Sequence, residues 1–124
     1  MSEVKLGLVE TRFADIIWKN EPISSGELVR LCAQELEWKK STTYTVLRKL
    51  CERGFFRNEN GVVTSLVPQE DFYSDRSKQF VEESFAGSLP AFLTAFSAGR
   101  KLSAREYQEI RQLLDSWKPE EDGP

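Results

Sequence analysis

Cationic and hydroxyl side chains are concentrated between Trp38 and Phe56. Residues 39–57 contain six basic side chains and one acidic side chain, Glu52, although the 124-residue chain carries a formal charge of −3. The basic residues are Lys39, Lys40, Arg48, Lys49, Arg53 and Arg57. A cationic segment within an acidic chain favours binding of a polyanion at one defined surface.

The same segment has the periodicity of an amphipathic helix, whose apolar side carries Thr43, Val46, Leu47 and Leu50. The other side carries side chains that can form hydrogen bonds, namely Ser41, Thr42, Tyr44, Thr45 and Arg48. Such side chains contact base edges when a helix enters the major groove of DNA, while Lys39, Lys40 and Arg57 would hold phosphates. Three alternatives stay open: the polar face is simply solvated, the Ser41 hydroxyl caps the helix, or Tyr44 contacts a phosphate or a thymine methyl group.

The composition argues against catalysis and against metal binding. The chain has no histidine, which removes the commonest general base and the commonest metal ligand. Cys32 and Cys51 both lie on apolar helical faces, so we expect small buried side chains and no disulfide. No Gly-rich phosphate loop or nucleophile elbow is present. We therefore predict a protein with no catalytic residues, no metal and no cofactor.

Targeting signals are also missing from the sequence. No apolar run approaches the roughly 20 residues that a membrane-spanning helix needs. The N-terminal residues 1–5 lack the apolar core of a signal peptide. The sequence therefore predicts a cytoplasmic protein without membrane insertion.

Three helices precede a β-hairpin in the predicted element order. Helices are expected over residues 6–19, from the capping-box sequence 24–27 onward, and over about 40–53, where Gly54 ends the third helix. Residues 55–57 and 62–67 then read as two strands, with residues 58–61 as the turn between them and Asn60-Gly61 as a strong hairpin signal. This is the order of a winged helix-turn-helix, a mainly α fold with a small β-hairpin wing. The wing would contact the DNA backbone or the minor groove through Arg57, Asn58, Asn60 and Thr64.

Large apolar side chains continue in three short helices after the hairpin. These helices cannot bury so much apolar surface among themselves, and an extended apolar helical face usually marks an interface. We expect a dimerisation arm built on Phe85, Leu89, Phe92, Phe96, Tyr107, Ile110, Leu113, Leu114 and Trp117. The alternative is that the helices fold back on the winged helix. The predicted domains are thus 1–69 for DNA binding, 70–118 for the arm, and 119–124 as a disordered acidic tail.

The sequence resembles the penicillinase and methicillin-resistance repressor family, which also includes copper-responsive repressors. The resemblance runs from Leu8 to about Trp117. Its marks are Ile17-Trp18, Trp38, Thr42, Thr45, Leu50, Arg53-Gly54-Phe55 and Leu102-Ser103. The resemblance implies a homodimeric repressor that binds a palindromic double-stranded DNA operator.

Two regulatory expectations come from this resemblance. In the β-lactam-responsive members, the metalloprotease of a membrane sensor protein cuts the C-terminal arm. By position, the cut falls between Ala95 and Phe96 here, where the family's cleaved pair has asparagine before phenylalanine. The copper-responsive members carry Cys-x-Cys motifs near the C-terminus. This chain has no cysteine after Cys51, so copper sensing by that route is excluded.

The predicted function is a transcriptional repressor that occludes a promoter. One alternative is a protein-interaction module, because winged helices also mediate protein contacts. Such a module has no reason to gather six cations around one helix and a wing. Another alternative is a small-molecule-responsive regulator with a pocket in the aromatic arm.

Overall fold

The computed structural model describes residues 5–117, so the predicted acidic tail at 119–124 lies outside the described residues. Helices and short strands follow one another in the order α1 Leu8–Asn20, β1 Ile23–Ser24, α2 Ser25–Leu36, α3 Lys40–Glu52, β2 Phe56–Glu59, β3 Val62–Ser65, α4 Gln69–Phe85, α5 Leu89–Ser97 and α6 Ala104–Ser116. The predicted fold class, mainly α with a hairpin wing after three helices, is confirmed.

The apolar faces of α1, α2 and α3 meet in one core. Phe13 and Ile17 of α1, Leu28 of α2, and Leu47 and Leu50 of α3 are almost completely buried there. These residues recur at three- and four-residue steps, which is why each helix presents one continuous apolar stripe. The apolar side of α3 packs in this core, so its polar side faces the solvent.

Local capping signals set the ends of α2 and α3. Ser24 is the N-cap of α2, and its Oγ accepts a hydrogen bond from the Glu27 N–H at 3.1 Å. The Glu27 carboxylate binds Arg30 at 2.8 Å and does not complete the expected capping box. After α3, Gly54 adopts a φ of 87°, a left-handed conformation that glycine accepts at low cost.

The wing is part of a three-stranded antiparallel sheet with the order β1-β3-β2. Phe56 pairs with Ser65 and Glu59 with Val62. Only Asn60 and Gly61, with φ of 52° and 81°, form the turn between the strands. The predicted four-residue turn was therefore too long, because Asn58 lies within β2. The strand β1 was not expected from the sequence pattern; it pairs with β3 and links the wing to the start of α2.

The described chain divides into two compact units, residues 5–80 and 81–117, so the division falls within α4. In the first unit, Phe72 of α4 is fully buried, and its ring centroid lies 5.3 Å from that of Trp18. Arg76 donates hydrogen bonds to the Leu6 carbonyl at 3.2 Å and to Thr11 Oγ1 at 3.0 Å. The start of α4 thus packs with the winged helix. The functional boundary expected between residues 69 and 70 stays a prediction.

The second unit contains the end of α4 together with α5 and α6. Ser88 and Ser103 cap α5 and α6 by accepting hydrogen bonds from backbone N–H groups three residues later, at 3.1 and 3.0 Å. The Phe85 and Phe92 rings meet edge to face at 5.5 Å. Neither α5 nor α6 has a buried residue, so this unit leaves most of its apolar side chains uncovered. No helix within residues 5–117 is both long and apolar enough to cross a bilayer.

Candidate nucleic-acid interface

The polar side of α3 is exposed along its whole length. Thr43, Leu47 and Leu50 face the core and are nearly inaccessible to solvent. The exposed residues on the opposite side are Ser41, Thr42, Thr45, Arg48, Lys49 and Glu52. The structure therefore brings four of the five predicted groove-facing residues onto one exposed surface. Lys49 lies on the same surface. It was not among the predicted groove-facing residues, although its four-residue spacing from Thr45 indicates the same face of the helix.

A hydrogen bond within α3 fixes the hydroxyl group of Thr45. Thr45 Oγ1 donates to the Ser41 carbonyl at 2.9 Å. The outward-facing lone pairs of Thr45 therefore stay available as acceptors. Lys39 is the N-cap, and its side chain makes no capping bond. Ser41 thus lies inside the first turn, and its alternative role as the helix cap is wrong.

Tyr44 occupies a different environment from the other predicted groove residues. Its side chain is half-buried and packs against the core cluster. Its Oη donates a hydrogen bond to Ser25 Oγ, at the start of α2, at 3.2 Å. The structure thus places the Tyr44 hydroxyl against α2 and not at the centre of the exposed face.

Four basic residues form what we term the α3 cationic surface: Lys39, Lys40, Arg48 and Lys49. All four are exposed, and none forms an ion pair with a carboxylate of residues 5–117. Their charge is therefore available to an external anion. Exposed cations of this kind bind phosphates through salt-dependent contacts.

The other two cations of the segment have partners within the chain. The Arg53 guanidinium donates to the Lys5 carbonyl, lies 3.8 Å from a Glu10 carboxylate oxygen and sits over the Phe55 ring at 5.2 Å. Arg57 lies 3.3 Å from Glu59 across an exposed pair. Arg53 is thus bound within the chain and does not belong to the candidate interface. The exposed ion pair of Arg57 contributes little, so Arg57 can still contact an external anion.

The predicted wing residues are divided between two faces of the hairpin and its tip. Arg57 and Thr64 are cross-strand partners and share one face. Asn58 pairs with the buried Val63 and so belongs to the face turned toward the core. There it lines a cleft of about 270 Å³ together with Arg48 of α3. Asn60 is exposed at the tip.

Neither cysteine is poised for chemistry. Burial raises the pKa of the Cys32 thiol to about 11, and burial also raises the pKa of the Cys51 thiol. Both thiols are free, as the sequence predicts, and stay protonated near neutral pH. Residues 5–117 contain no cluster of three or more cysteine or carboxylate side chains that could hold a metal ion. The arrangement on α3 therefore supports noncovalent recognition of an anion.

The predicted arm residues are largely accessible. Leu89, Phe96, Tyr107, Leu113, Leu114 and Trp117 have between 37% and 54% of their surface exposed. Phe85, Phe92 and Ile110 are half-buried. The candidate cleavage pair, Ala95 and Phe96, is exposed in the last turn of α5. The Arg100 guanidinium covers the Phe96 ring at 4.9 Å.

Known proteins match this chain over nearly its whole length. The sequence model of the family described as penicillinase repressor matches residues 6–116. The methicillin resistance regulatory protein MecI of Staphylococcus aureus strain Mu50 is 24% identical over 115 residues, which cover 90% of this chain and 94% of that protein. The penicillinase repressor of Bacillus licheniformis is 24% identical over 113 residues, or 88% of each chain. The penicillinase repressor of Staphylococcus aureus is 21% identical over 117 residues, or 91% of this chain and 93% of that protein.

These matches agree with the geometry of the structure. The matched region contains the winged helix, the α3 cationic surface and the apolar helices of the second unit. Members of the matched family are transcriptional repressors and not enzymes, in agreement with the prediction of a protein without chemistry of its own. The chain belongs to the penicillinase repressor family.

Proposed function

We propose that the protein is a homodimeric repressor that binds a palindromic DNA operator through α3 and thereby occludes a promoter. The observation that carries this proposal is the α3 cationic surface, whose basic side chains form no ion pair within residues 5–117. Arg48 and Lys49 share the exposed side of α3 with its hydroxyl groups, and Lys39 and Lys40 lie at its start. Membership in a family of transcriptional repressors supports the same function.

Each part of the exposed surface has a role in this proposal. Lys39, Lys40 and Lys49 hold phosphates, because a lysine ammonium is a compact charge that carries no sequence information. Thr42, Thr45 and Arg48, together with Ser41, reach base edges in the major groove. On the wing, Arg57, Asn60 and Thr64 contact the DNA backbone or the minor groove. The Arg57–Glu59 pair does not prevent this, because both side chains are more than half exposed and such pairs contribute little.

The second unit supplies the proposed dimer interface. Its large apolar side chains on α5 and α6 stay exposed in a single chain, and covering that surface with an identical surface is the simplest way to bury it. The stripe on α6 runs through Tyr107, Ile110, Leu113, Leu114 and Trp117. A twofold dimer presents two copies of α3, so its operator would be palindromic.

A groove of about 340 Å³ between α5 and α6 has apolar walls that include Leu93, Phe96, Leu102, Tyr107 and Ile110. A small-molecule-responsive regulator would place its ligand here. Because the groove is open and its wall includes Phe96, Tyr107 and Ile110 of the proposed dimer interface, we assign it to side chains of a second copy.

Release of the operator by proteolysis is the proposed control. The Ala95–Phe96 bond lies in the last turn of α5, a helix of nine residues without a buried residue. A segment with so few buried contacts opens at low free-energy cost. A protease, such as that of a membrane sensor, would separate α6 from the winged helix by cutting there. Each winged helix would then bind with its own weak affinity only, because the linkage between two sites is lost.

Fluorescence anisotropy with duplex DNA tests the central proposal. The purified protein should bind a duplex selected from a random pool, and its affinity should fall steeply with salt. Sedimentation should show a dimer at micromolar concentrations. Failure to bind DNA at low salt, or binding that does not change with salt, would contradict the assignment.

A truncation that ends at Ala95 tests the control. The truncated protein should stay folded and lose only the helical circular dichroism of the residues removed, because the buried core residues from Phe13 to Phe72 all lie before the cut. It should sediment as a monomer and bind the selected duplex much more weakly than the full chain. A folded truncation that binds as tightly as the full chain would show that the arm is not the control point.

A further inference from the structure

Ser25 is a junction between the two elements that face the proposed DNA site. Its Oγ accepts a hydrogen bond from Tyr44 Oη of α3 at 3.2 Å. Its N–H donates to the carbonyl of Gly61, in the turn of the wing, at 2.8 Å. One residue at the start of α2 therefore links α3 to the wing.

The turn of the wing fits closely against this junction. Gly61 has a φ of 81°, where a side chain would be strained. A Cβ added there would make ordinary van der Waals contact with Ser25 Oγ, at 3.7 Å. The pairing of Ser24 with Val62 holds the same end of the wing to the chain segment that enters α2.

The environment of Tyr44 does not suit a base-reading side chain. Its ring packs against the core, and the proton of its hydroxyl is used in the bond to Ser25. Thr45 and Arg48, by contrast, are exposed on the open side of the helix. Tyr44 thus acts on the elements that carry the interface and not on the bases.

We propose that Tyr44 is a positioning residue, which through Ser25 holds α3 and the wing in the relative placement that DNA binding needs. This inference rests on the proposed DNA-binding function. It distinguishes residues that position the site, Tyr44 and Ser25, from residues that contact bases, such as Thr45 and Arg48. Preorganisation of this kind raises affinity because α3 and the wing are already ordered in the free protein, so less conformational entropy is lost when DNA binds. It does not change which base is preferred at any position.

The test combines Tyr44→Phe, Ser25→Ala and the double variant. Tyr44→Phe removes only the hydroxyl and keeps the packed ring. Ser25→Ala leaves the α2 cap intact, because Ser24 supplies it. Ser25→Thr, which keeps a hydroxyl, is the matched control. The probe is the duplex selected by the parent protein, together with a panel in which each base pair is changed in turn.

Each single variant should weaken binding by about 2- to 12-fold for each half-site, the equilibrium equivalent of one net hydrogen bond. The double variant should be no weaker than the weaker of the two single variants, because both remove the same bond. Base preferences across the panel should match those of the parent, and Ser25→Thr should restore parental binding. A titration at a DNA concentration far above Kd gives the fraction of each variant that can bind DNA. This fraction should equal that of the parent protein, whereas misfolding would lower it.

Three results would overturn the inference while leaving the proposed function in place. One is a relaxed preference at a single base pair in Tyr44→Phe, which would make the tyrosine a base-reading residue. The second is additive losses in the double variant. The third is parental affinity in both single variants. A parent protein that binds no duplex at all would instead refute the proposed function.

Discussion

Two basic residues one turn apart near the end of α3 should differ completely in their effect on DNA binding. Lys49 belongs to the α3 cationic surface, whereas Arg53 is already bound to the Lys5 carbonyl and Glu10. Replacement of either by glutamine removes one positive charge from each protomer. We predict that only Lys49→Gln changes the salt dependence of binding.

The size of the effect follows from counting available cations. If Lys39, Lys40 and Lys49 of the α3 cationic surface and Arg57 of the wing contact phosphates, a dimer neutralises about eight, and log Kd should change with log salt with a slope of about 7. Affinity would then fall about 10⁴-fold between roughly 50 and 200 mM salt. Lys49→Gln removes one contact from each protomer and should lower the slope by about 2. Arg53→Gln should leave the slope at the parental value.

Anisotropy titrations at four or more salt concentrations measure these slopes directly. Circular dichroism of Arg53→Gln checks that loss of the Glu10 contact has not unfolded the start of α1. Equal slopes for the two variants would show that binding responds to total charge and not to one helix face. A lower slope in Arg53→Gln alone would mean that DNA lies on another side of the winged helix.

Further predictions address base reading, assembly and alkaline stability. Thr45→Ala should weaken binding to the selected duplex by about 1–3 kcal/mol while sparing random DNA, whereas Lys40→Ala should weaken both alike; equal losses on both DNAs for both variants would place the wrong face in the groove. In sedimentation, Leu113→Asp should give monomers, because it puts an unpaired charge in the proposed interface, whereas the neighbouring Gln112→Asp should stay dimeric; a dimer in both variants would contradict the assignment of α6. Burial raises the folded-state pKa of Cys32 to about 11, whereas the thiol of the unfolded chain ionises near pH 9. The free energy of unfolding should therefore be unaffected by this thiol below about pH 9 and should fall by about 2–3 kcal/mol as pH rises toward 11. Denaturant titrations should show a smaller alkaline loss in Cys32→Ala, and an identical loss would show that the thiol is not responsible.

Signals within a few residues of one another predicted most of the winged helix. The spacing of Leu47 and Leu50 sets the buried side of α3. Gly54 ends the helix because glycine adopts the left-handed conformation at low cost. The Asn60-Gly61 pair likewise defines the hairpin turn by its own backbone preference. Such elements are predictable because their causes are local.

Contacts between distant residues could not be predicted in this way. The partners of Arg53 and Tyr44 lie 48 and 19 positions away in the sequence, so nothing near either residue indicates its bond. The strand β1 has only two residues and is too short to show a periodicity. A count of charges therefore includes Arg53 in the cationic segment although its guanidinium has partners within the chain, and helical spacing alone grouped Tyr44 with the exposed face.

The packing of α4 restricts how this protein could exchange parts with its relatives during evolution. A recombination point at residue 70 would look natural in the sequence, but it would remove Phe72 from the core of the winged helix. Loss of a buried phenylalanine costs about 3–5 kcal/mol, a large share of the roughly 5–15 kcal/mol that stabilises a domain. It would also remove Arg76 from Leu6 and Thr11. A new arm can therefore be grafted at low cost only beyond Phe80, and the first turns of α4 must be inherited with the DNA-binding half.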